Sequence, residues 1–283
     1  MNAEVLPAAV PSGRVRPARR ATLIVALAIL GGVVLMAVIG PLLVGASPLQ
    51  VHLALANRPP SAHHPFGTDV LGRDVFARTW AGARISLGIG LAAVALDLGV
   101  GVVYGGVAGY LGGAVDQVMA RVIDVLYGVP FLLVAMALLA VRGPGPVSVV
   151  LAIALVNWLG MARLVRGEVQ RLRDRDYVLA ARALGVSGPR VLFRHLLPQV
   201  WGPVLAWLSY SLPQAIFAEA FLSFIGLGVR PPLASWGSLI SLAAPTFLLD
   251  PYPLLFPAAA LVLTLLACYL LGDCLRAGQP PGG

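Results

Sequence analysis

The sequence predicts an all-α integral membrane protein of about six transmembrane helices, with both termini on the cytoplasmic side. Three observations predict it. Of the 283 residues, 59% are hydrophobic and only 11% are charged, and mean hydropathy is +0.88. Soluble domains carry about a quarter charged residues. Six apolar runs approach or exceed the roughly 20 residues needed to cross a bilayer. The arginines gather at the ends of those runs.

The first run, about Ala21 to Val44, follows Arg14, Arg16, Arg19 and Arg20 and carries no charge of its own. Residues 1–20 form a basic cytoplasmic tail. The Arg-Arg pair also fits a twin-arginine signal peptide, but the run exceeds a usual h-region of about 7 to 15 residues and further spans follow. The stretch from about Gly45 to Thr68 is an external loop, too short to bury a core. It leads into a short external helix near 69–84, lying at the interface, which Thr68 or Asp69 can cap. On that helix Asp69 and Arg73, and Asp74 and Arg78, have the spacing of ion pairs. Phe66, Leu71, Phe76 and Trp80 would rest in the interface. The adjacent His63 and His64 have poor spacing for one metal on one helical face.

Five further spans follow at about Ile85 to Tyr110, Val118 to Val141, Val147 to Val165, Val200 to Leu222 and Pro253 to Leu271. Residues 85–275 form the main membrane domain, and 276–283 form a second cytoplasmic tail. This topology puts Arg163, Arg166, Arg171, Arg173, Arg175, Arg182, Arg190 and Arg194 inside, as the positive-inside rule requires. Arg58, Arg73, Arg78 and Arg84 fall outside and count against it. Pro203 and Pro213 are placed to kink the fifth span, and Trp236 is placed at headgroup level.

All twenty basic residues are arginine. The absence of lysine excludes a P-loop lysine, Schiff-base chemistry and a lysine general base, so the chain alone does not hydrolyse ATP. It also points to a GC-rich prokaryotic genome. The net charge of +8 reflects membrane topology rather than nucleic-acid binding, because no aromatic-interleaved basic face carries it. Cys268 and Cys274 lie in the last apolar run and read as packing residues.

The loop at about 166–198, between the fourth and fifth spans, holds the most distinctive stretch, Tyr177-Val-Leu-Ala-Ala-Arg-Ala-Leu-Gly185, followed by His195-Leu-Leu-Pro198. Charged and apolar residues alternate at helical spacing from Asp174 to Leu184, and Gly185 can take the left-handed conformation that ends a helix. Ala180, Ala181 and Ala183 keep the helix thin, so another protein's groove can approach its backbone. Arg173, Arg175 and Arg182 can steer an acidic partner. Pro198 suits the first turn of the next membrane helix. A solvated basic loop that only fixes topology is the plainer alternative.

This spacing resembles the cytoplasmic signature loop of ABC-importer permeases: Glu-Ala-Ala, a glycine four residues after the second alanine, and Leu-Pro further on. His64-Pro-Phe-Gly-Thr-Asp69 with Val70-Leu-Gly-Arg-Asp74, then Gly82-Ala-Arg-Ile-Ser-Leu87, is similar to the amino-terminal region of the second permease of peptide and nickel importers. Glu219-Ala-Phe-Leu-Ser-Phe-Ile-Gly-Leu-Gly228, with Pro231-Pro232 and Ser235-Trp-Gly237, resembles the end of that group's fifth span. One departure stands out, because Leu179 occupies the family's glutamate position. Glu168, Asp174 and Asp176 are the nearby carboxylates.

The resemblance implies the type I ABC importer permease fold and a place in a prokaryotic cytoplasmic (inner) membrane. It implies a homologous second permease, two cytoplasmic P-loop ATPase subunits that hold ATP and Mg, and an extracytoplasmic solute-binding protein. No cofactor would be bound by this chain, and no catalytic residue is expected. Tyr177, Ala180, Ala181, Arg182, Ala183, Leu184, Gly185, His195, Leu197 and Pro198 would couple it to the ATPases. Peptides are the first substrate class, with nickel, glutathione and other small solutes open.

Asp97, Asp124 and Glu219 lie in or near apolar spans, where a charge costs about 2.5 to 3.5 kcal/mol and usually faces a bundle interior or water. Asp97, Glu219 and Ser223 are candidates for the translocation path, the alternative being buried hydrogen bonds to a neighbouring helix. A proton-coupled secondary transporter using Asp97 or Glu219 is the alternative function. An intramembrane hydrolase is disfavoured, since the chain has neither a G-x-S-x-G elbow nor an H-E-x-x-H pair.

Overall fold

The computed structural model describes residues 17–44 and 47–276. Most of the two tails, Arg14 and Arg16 included, lie outside them. The helices are α1 (Pro17–Leu43), α2 (Val75–Leu111), α3 (Gly113–Tyr127), α4 (Phe131–Arg142), α5 (Pro146–Arg173), α6 (Asp176–Ala183), α7 (Gly188–Arg190), α8 (Trp201–Phe224), α9 (Trp236–Ala243) and α10 (Tyr252–Arg276). Among the described residues the only β pairing is an isolated bridge between Thr68 and Asp74.

Helices α1, α2, α5 and α10 are each long and apolar enough to cross a membrane, and α3 with α4 makes a fifth candidate if that bent pair is one span. The expected span at 118–141 is therefore not straight: it bends by 82° between α3 and α4. Gly128 and Pro130 sit at the break, and Pro130 has no amide hydrogen to continue the ladder. The expected fifth span is α8, 24 residues long, about 36 Å at 1.5 Å per residue. Gln214, Glu219 and several Ser and Pro residues dilute its apolarity, and α8 packs among α2, α5, α9 and α10 instead of facing lipid all round.

The separate interfacial helix does not form. Asp74 caps α2, its carboxylate accepting from the Ala77 amide at 2.7 Å, and α2 then runs unbroken past residue 84. Asp69 lies in the turn before it. Its carboxylate accepts from the Leu71 and Arg73 amides at 2.9 and 3.0 Å and pairs with the Arg73 guanidinium at 2.7 Å. Asp74 does not pair with Arg78: its second oxygen meets His64 Nδ1 at 2.8 Å, and Arg78 lies 3.6 Å from Asp69 while donating to Pro48 O at 3.1 Å. Capping and the His64 contact use both oxygens of Asp74, so the i,i+4 expectation fails there.

These contacts account for three of the four external arginines. Arg73 and Arg78 are buried, and the Asp69 carboxylate faces both, at 2.7 and 3.6 Å. Arg84 donates to Ala37 O and, at 2.6 Å, to Val38 O of α1. Pro41, inside α1, has no N–H to offer Ala37 O, so the guanidinium fills the vacancy that proline leaves.

The most extensive helix–helix packing is between α2 and α5. Gly101, Gly105 and Gly109 recur every four residues along α2, so one backbone rests on the other. A Cβ at Gly101 would stand 2.6 Å from Met161 Cβ, one at Gly109 2.6 Å from Arg166 O, and one at Gly105 would collide with Ala162 O. Small residues at this spacing let membrane helices pack by close approach. Gly105→Leu is expected to force the pair apart at a cost of about 1 to 3 kcal/mol, read as a lower Tm of the detergent-purified protein, whereas Gly99→Leu, at an open position, leaves Tm unchanged.

Polar fastenings hold α3 to this pair. Asp116 is gripped by both arms of Arg166, at 2.5 and 2.7 Å, and by Gln170 at 2.8 Å. Asp124 pairs with Arg163 at 2.8 Å, and Arg163 also covers the Tyr127 ring. Trp236 does not present its ring to the surroundings: it is fully buried within the protein, and its indole N–H donates to Thr79 O at 3.0 Å. Phe66 stacks on Phe256 of α10, and Trp80 packs against α1 and α2 core residues, so these rings join helices to one another. Pro203 lies in the first turn of α8, where no helical bond is lost, which leaves Pro213 as that helix's interior proline. Cys268 and Cys274 are buried free thiols.

Candidate functional site

The loop after α5 folds into a short exposed helix backed by a packed segment. Arg173 ends α5, and after two residues α6 begins at Asp176. The helix stops in a Schellman motif: the Gly185 amide donates to Arg182 O at 2.9 Å and the Val186 amide to Ala181 O at 3.1 Å. Gly185 has φ +78°, a conformation that favours glycine.

The inner side of α6 is anchored by Val178, fully buried with Val191, Leu192 and Leu196 and with Val169 and Leu172 of α5. The outer side is exposed: Tyr177, Leu179, Ala180, Arg182, Ala183, Leu184 and Gly185 face solvent, and Ala181 is half-buried. His195, Leu197 and Pro198 lie in the segment packed behind it. There α7 continues as a π-helix, Val191–Leu196, and a tight 3-10 turn, Leu197–Val200. Pro198 therefore sits in that turn, ahead of α8 and not within its first turn. His195 and Leu197 are half-buried, and Pro198 is exposed.

Two contacts seat the loop on the cytoplasmic end of α2. The Arg182 guanidinium lies over the Tyr110 ring, 5.0 Å from its centroid. Arg173 donates to Gly109 O at 3.3 Å. Neither Tyr110 nor Val178 was singled out by the sequence. Tyr110 is 72 residues from Arg182, and no local pattern reports a contact of that kind. Of the nearby carboxylates, Glu168 is paired with Arg171 at 2.8 Å and Asp174 with Arg173 at 3.3 Å, while Asp176 stands on the exposed side one turn from Ala180.

A second cluster lies toward the opposite end of α2 and α8. Glu219 has 0% exposure. One carboxylate oxygen accepts from Ser86 Oγ of α2 and the other from Ser223 Oγ of α8, both at 2.7 Å. The two hydroxyls extend the network, because Ser86 Oγ accepts from the Trp236 amide at 3.1 Å and Ser223 Oγ from the Val229 amide at 3.2 Å. Ser235 and Ser238 close a capping box at the start of α9. Glu219 and Ser223 are thus brought together, with Ser86 as the partner the sequence did not reveal. Asp97, about three turns along α2 from Ser86, is separate from this network. It is fully buried, and neither carboxylate oxygen has a hydrogen-bond partner among the described residues.

No group of three or more His, Cys, Asp or Glu residues among the described residues has metal-binding geometry. His64 is engaged with Asp74.

Residues 101–281 match the family described as the binding-protein-dependent transport system inner membrane component. The chain belongs to this family. It is 47% identical to the dipeptide transport system permease protein DppC of Bacillus subtilis (strain 168), over 87% of this chain and 77% of that protein. It is 43% identical to the oligopeptide transport permease OppC of the same organism, over 88% and 82% of the two chains. A glutathione transport permease, GsiD of Pectobacterium atrosepticum, is 39% identical over 80% and 75%. Among solved structures, inward facing conformations of the MetNI methionine ABC transporter align with a TM-score of 0.58, covering 70% of this chain and 95% of that one, at 13% identity. That likeness establishes the fold, a type I ABC importer permease. The chain is a membrane permease subunit of an ABC importer, and the comparisons give no support to the proton-coupled alternative.

Proposed function

We propose that the chain forms half of the translocation pathway of an ATP-driven peptide importer, with α6 as the helix that docks on a cytoplasmic ATPase. The observation that carries this reading is the exposed Ala-Ala-x-Ala-x-Gly helix, held on its inner side by Val178 and seated on α2 through Arg182 and Tyr110. A second, homologous permease supplies the other half of the pathway. Two P-loop ATPases bind ATP with Mg, an extracytoplasmic protein delivers the solute, and this chain itself binds no cofactor.

On this reading α2 is the lever. It runs unbroken for 37 residues from the Asp74 cap to Gly112, about 55 Å at 1.5 Å per residue. Its inner end carries Tyr110, under Arg182, and its outer part carries Ser86, bonded to Glu219. A shift of α6 on ATPase closure therefore reaches the outer ends of α8 and α9 through one rigid element, the kind of packed two-arrangement movement that transporters use. Because both Glu219 oxygens are engaged by serine hydroxyls, we assign Glu219 and Ser223 to holding that outer junction rather than lining the route. Asp97, whose oxygens are unengaged, is the acid left for a pathway role.

Tyr110→Ala removes the ring under Arg182 and is expected to lower uptake several-fold while ATP hydrolysis by the assembled transporter continues. Tyr110→Phe keeps the ring and stays near wild type. A cation–π contact of this kind contributes about 0.5 to 1 kcal/mol, enough to bias a linkage without unfolding it. Substrate class is tested by uptake of labelled dipeptides, longer peptides and nickel in cells carrying only this importer. Saturable peptide uptake is expected. Uptake of nickel alone would overturn the peptide assignment and leave the permease reading in place.

A further inference from the structure

We propose that the ATPase partner of this chain grips α6 through two apolar surfaces, one on each side of the helix, that receive Leu179 and Leu184. The inference rests on the docking role given to α6 above and adds the chemistry of the surface that meets it.

On a helix of 3.6 residues per turn, the direction opposite the buried Val178 is occupied by Asp176, Ala180 and Ala183. Ala180 and Ala183 make that ridge low. Leu179 projects on one flank and Leu184 on the other, and they are 49% and 84% exposed. Two leucines astride an alanine ridge form an apolar saddle at the outermost side of a cytoplasmic helix. A partner that covers it must bring apolar groups down both flanks while its backbone approaches the alanines.

Arg175 and Asp176 are both exposed at the amino-terminal end of the saddle. The complement is an apolar, two-walled groove. Leu179 gives the groove its individuality. In the signature loop that this chain resembles, a glutamate holds that position, and a wall built to meet a carboxylate must offer cations or hydrogen-bond donors. A wall built for Leu179 leaves a carboxylate unpaired in an apolar setting, which is strongly unfavourable. The saddle therefore discriminates between ATPases as well as binding one.

The test isolates the assembled transporter from its native membrane with wild-type chain, Leu179→Met, Leu179→Glu or Leu184→Glu. The ATPase chains and the second permease retained per copy of this chain are counted by quantitative mass spectrometry, before and after a high-salt wash. Retention of ATPase by Leu179→Met near the wild-type level is expected, with at least a tenfold loss for each glutamate variant, an unchanged amount of second permease, and wild-type retention that survives high salt. Wild-type ATPase retention by Leu179→Glu would overturn the proposal. So would salt alone stripping the wild-type ATPase, which marks an ionic contact. Loss of the second permease along with the ATPase would also overturn it, since that marks Leu179 as covered by the other permease or by lipid. Absence of any ATPase from the wild-type preparation would instead refute the docking role itself.

Discussion

Replacing Gly185 with proline is expected to abolish solute uptake while leaving the chain in the membrane with its second permease. Gly185 has φ +78°, and proline is locked near −65°. Its ring also disfavours the near-helical conformation of the residue before it, Leu184, at φ −78° and ψ 5°. The substitution further removes the amide that donates to Arg182 O at 2.9 Å. All three effects unwind the carboxyl-terminal turn of α6, which carries Ala183 and Leu184. Space is not the cause, because a Cβ at Gly185 would meet nothing within 4 Å. Gly185→Ala thus separates conformation from bulk: it incurs only the left-handed strain of about 1 to 2 kcal/mol and is expected to leave partial uptake. Membrane abundance is read by immunoblot and uptake with a labelled solute. Full uptake by Gly185→Pro would remove the ordered end of α6 from the mechanism.

Glu219→Ala is the second large effect. The side chain is wholly enclosed and joins α2, α8 and the start of α9 through two serine hydroxyls. Truncation leaves a cavity, strands both hydroxyls and loosens the junction that α2 is proposed to move. Stranded buried donors cost about 1 to 3 kcal/mol each, and the unfilled volume adds to that. The purified assembly is expected to lose at least about 3 kcal/mol of stability, read as a lower Tm, with uptake below a tenth of wild type. Glu219→Gln fills the same volume and lets one serine rotate to accept from the new amide, so it should fall between the two. An unchanged Tm for Glu219→Ala would show that the network contributes no stability.

The signals that were legible in the sequence are local ones. Long apolar runs gave α1, α5 and α10, and the Gly185 stop gave the end of α6, because hydropathy and left-handed glycine act over a few residues. The span expected at 118–141 is bent where Gly128 and Pro130 interrupt an otherwise apolar stretch; a hydropathy window averages over such a break. The start of α2 was misplaced because Asp69 and Asp74 both precede helical-looking sequence, and only the His64 and Ala77 contacts show that Asp74 is the cap. Within the candidate site, the exposed residues of α6 could be named, since small and charged residues at helical spacing mark an accessible face. What fastens that face could not be: Val178 looks like any valine, and Tyr110 and Ser86 act across tens to more than a hundred residues of sequence. Arg84 is instructive in the same way. By charge alone it counts against the topology, but Pro41, on another helix, leaves the carbonyl that Arg84 satisfies.

Transport energetics test the central claim most directly. The purified assembly of this chain with its co-isolated subunits, reconstituted into proteoliposomes with the solute-binding protein, is given either ATP with Mg or an imposed proton gradient. Solute accumulation that requires ATP, ignores the gradient and disappears with Gly185→Pro is the predicted result. Accumulation driven by the proton gradient, by this chain without any ATPase present, would contradict it.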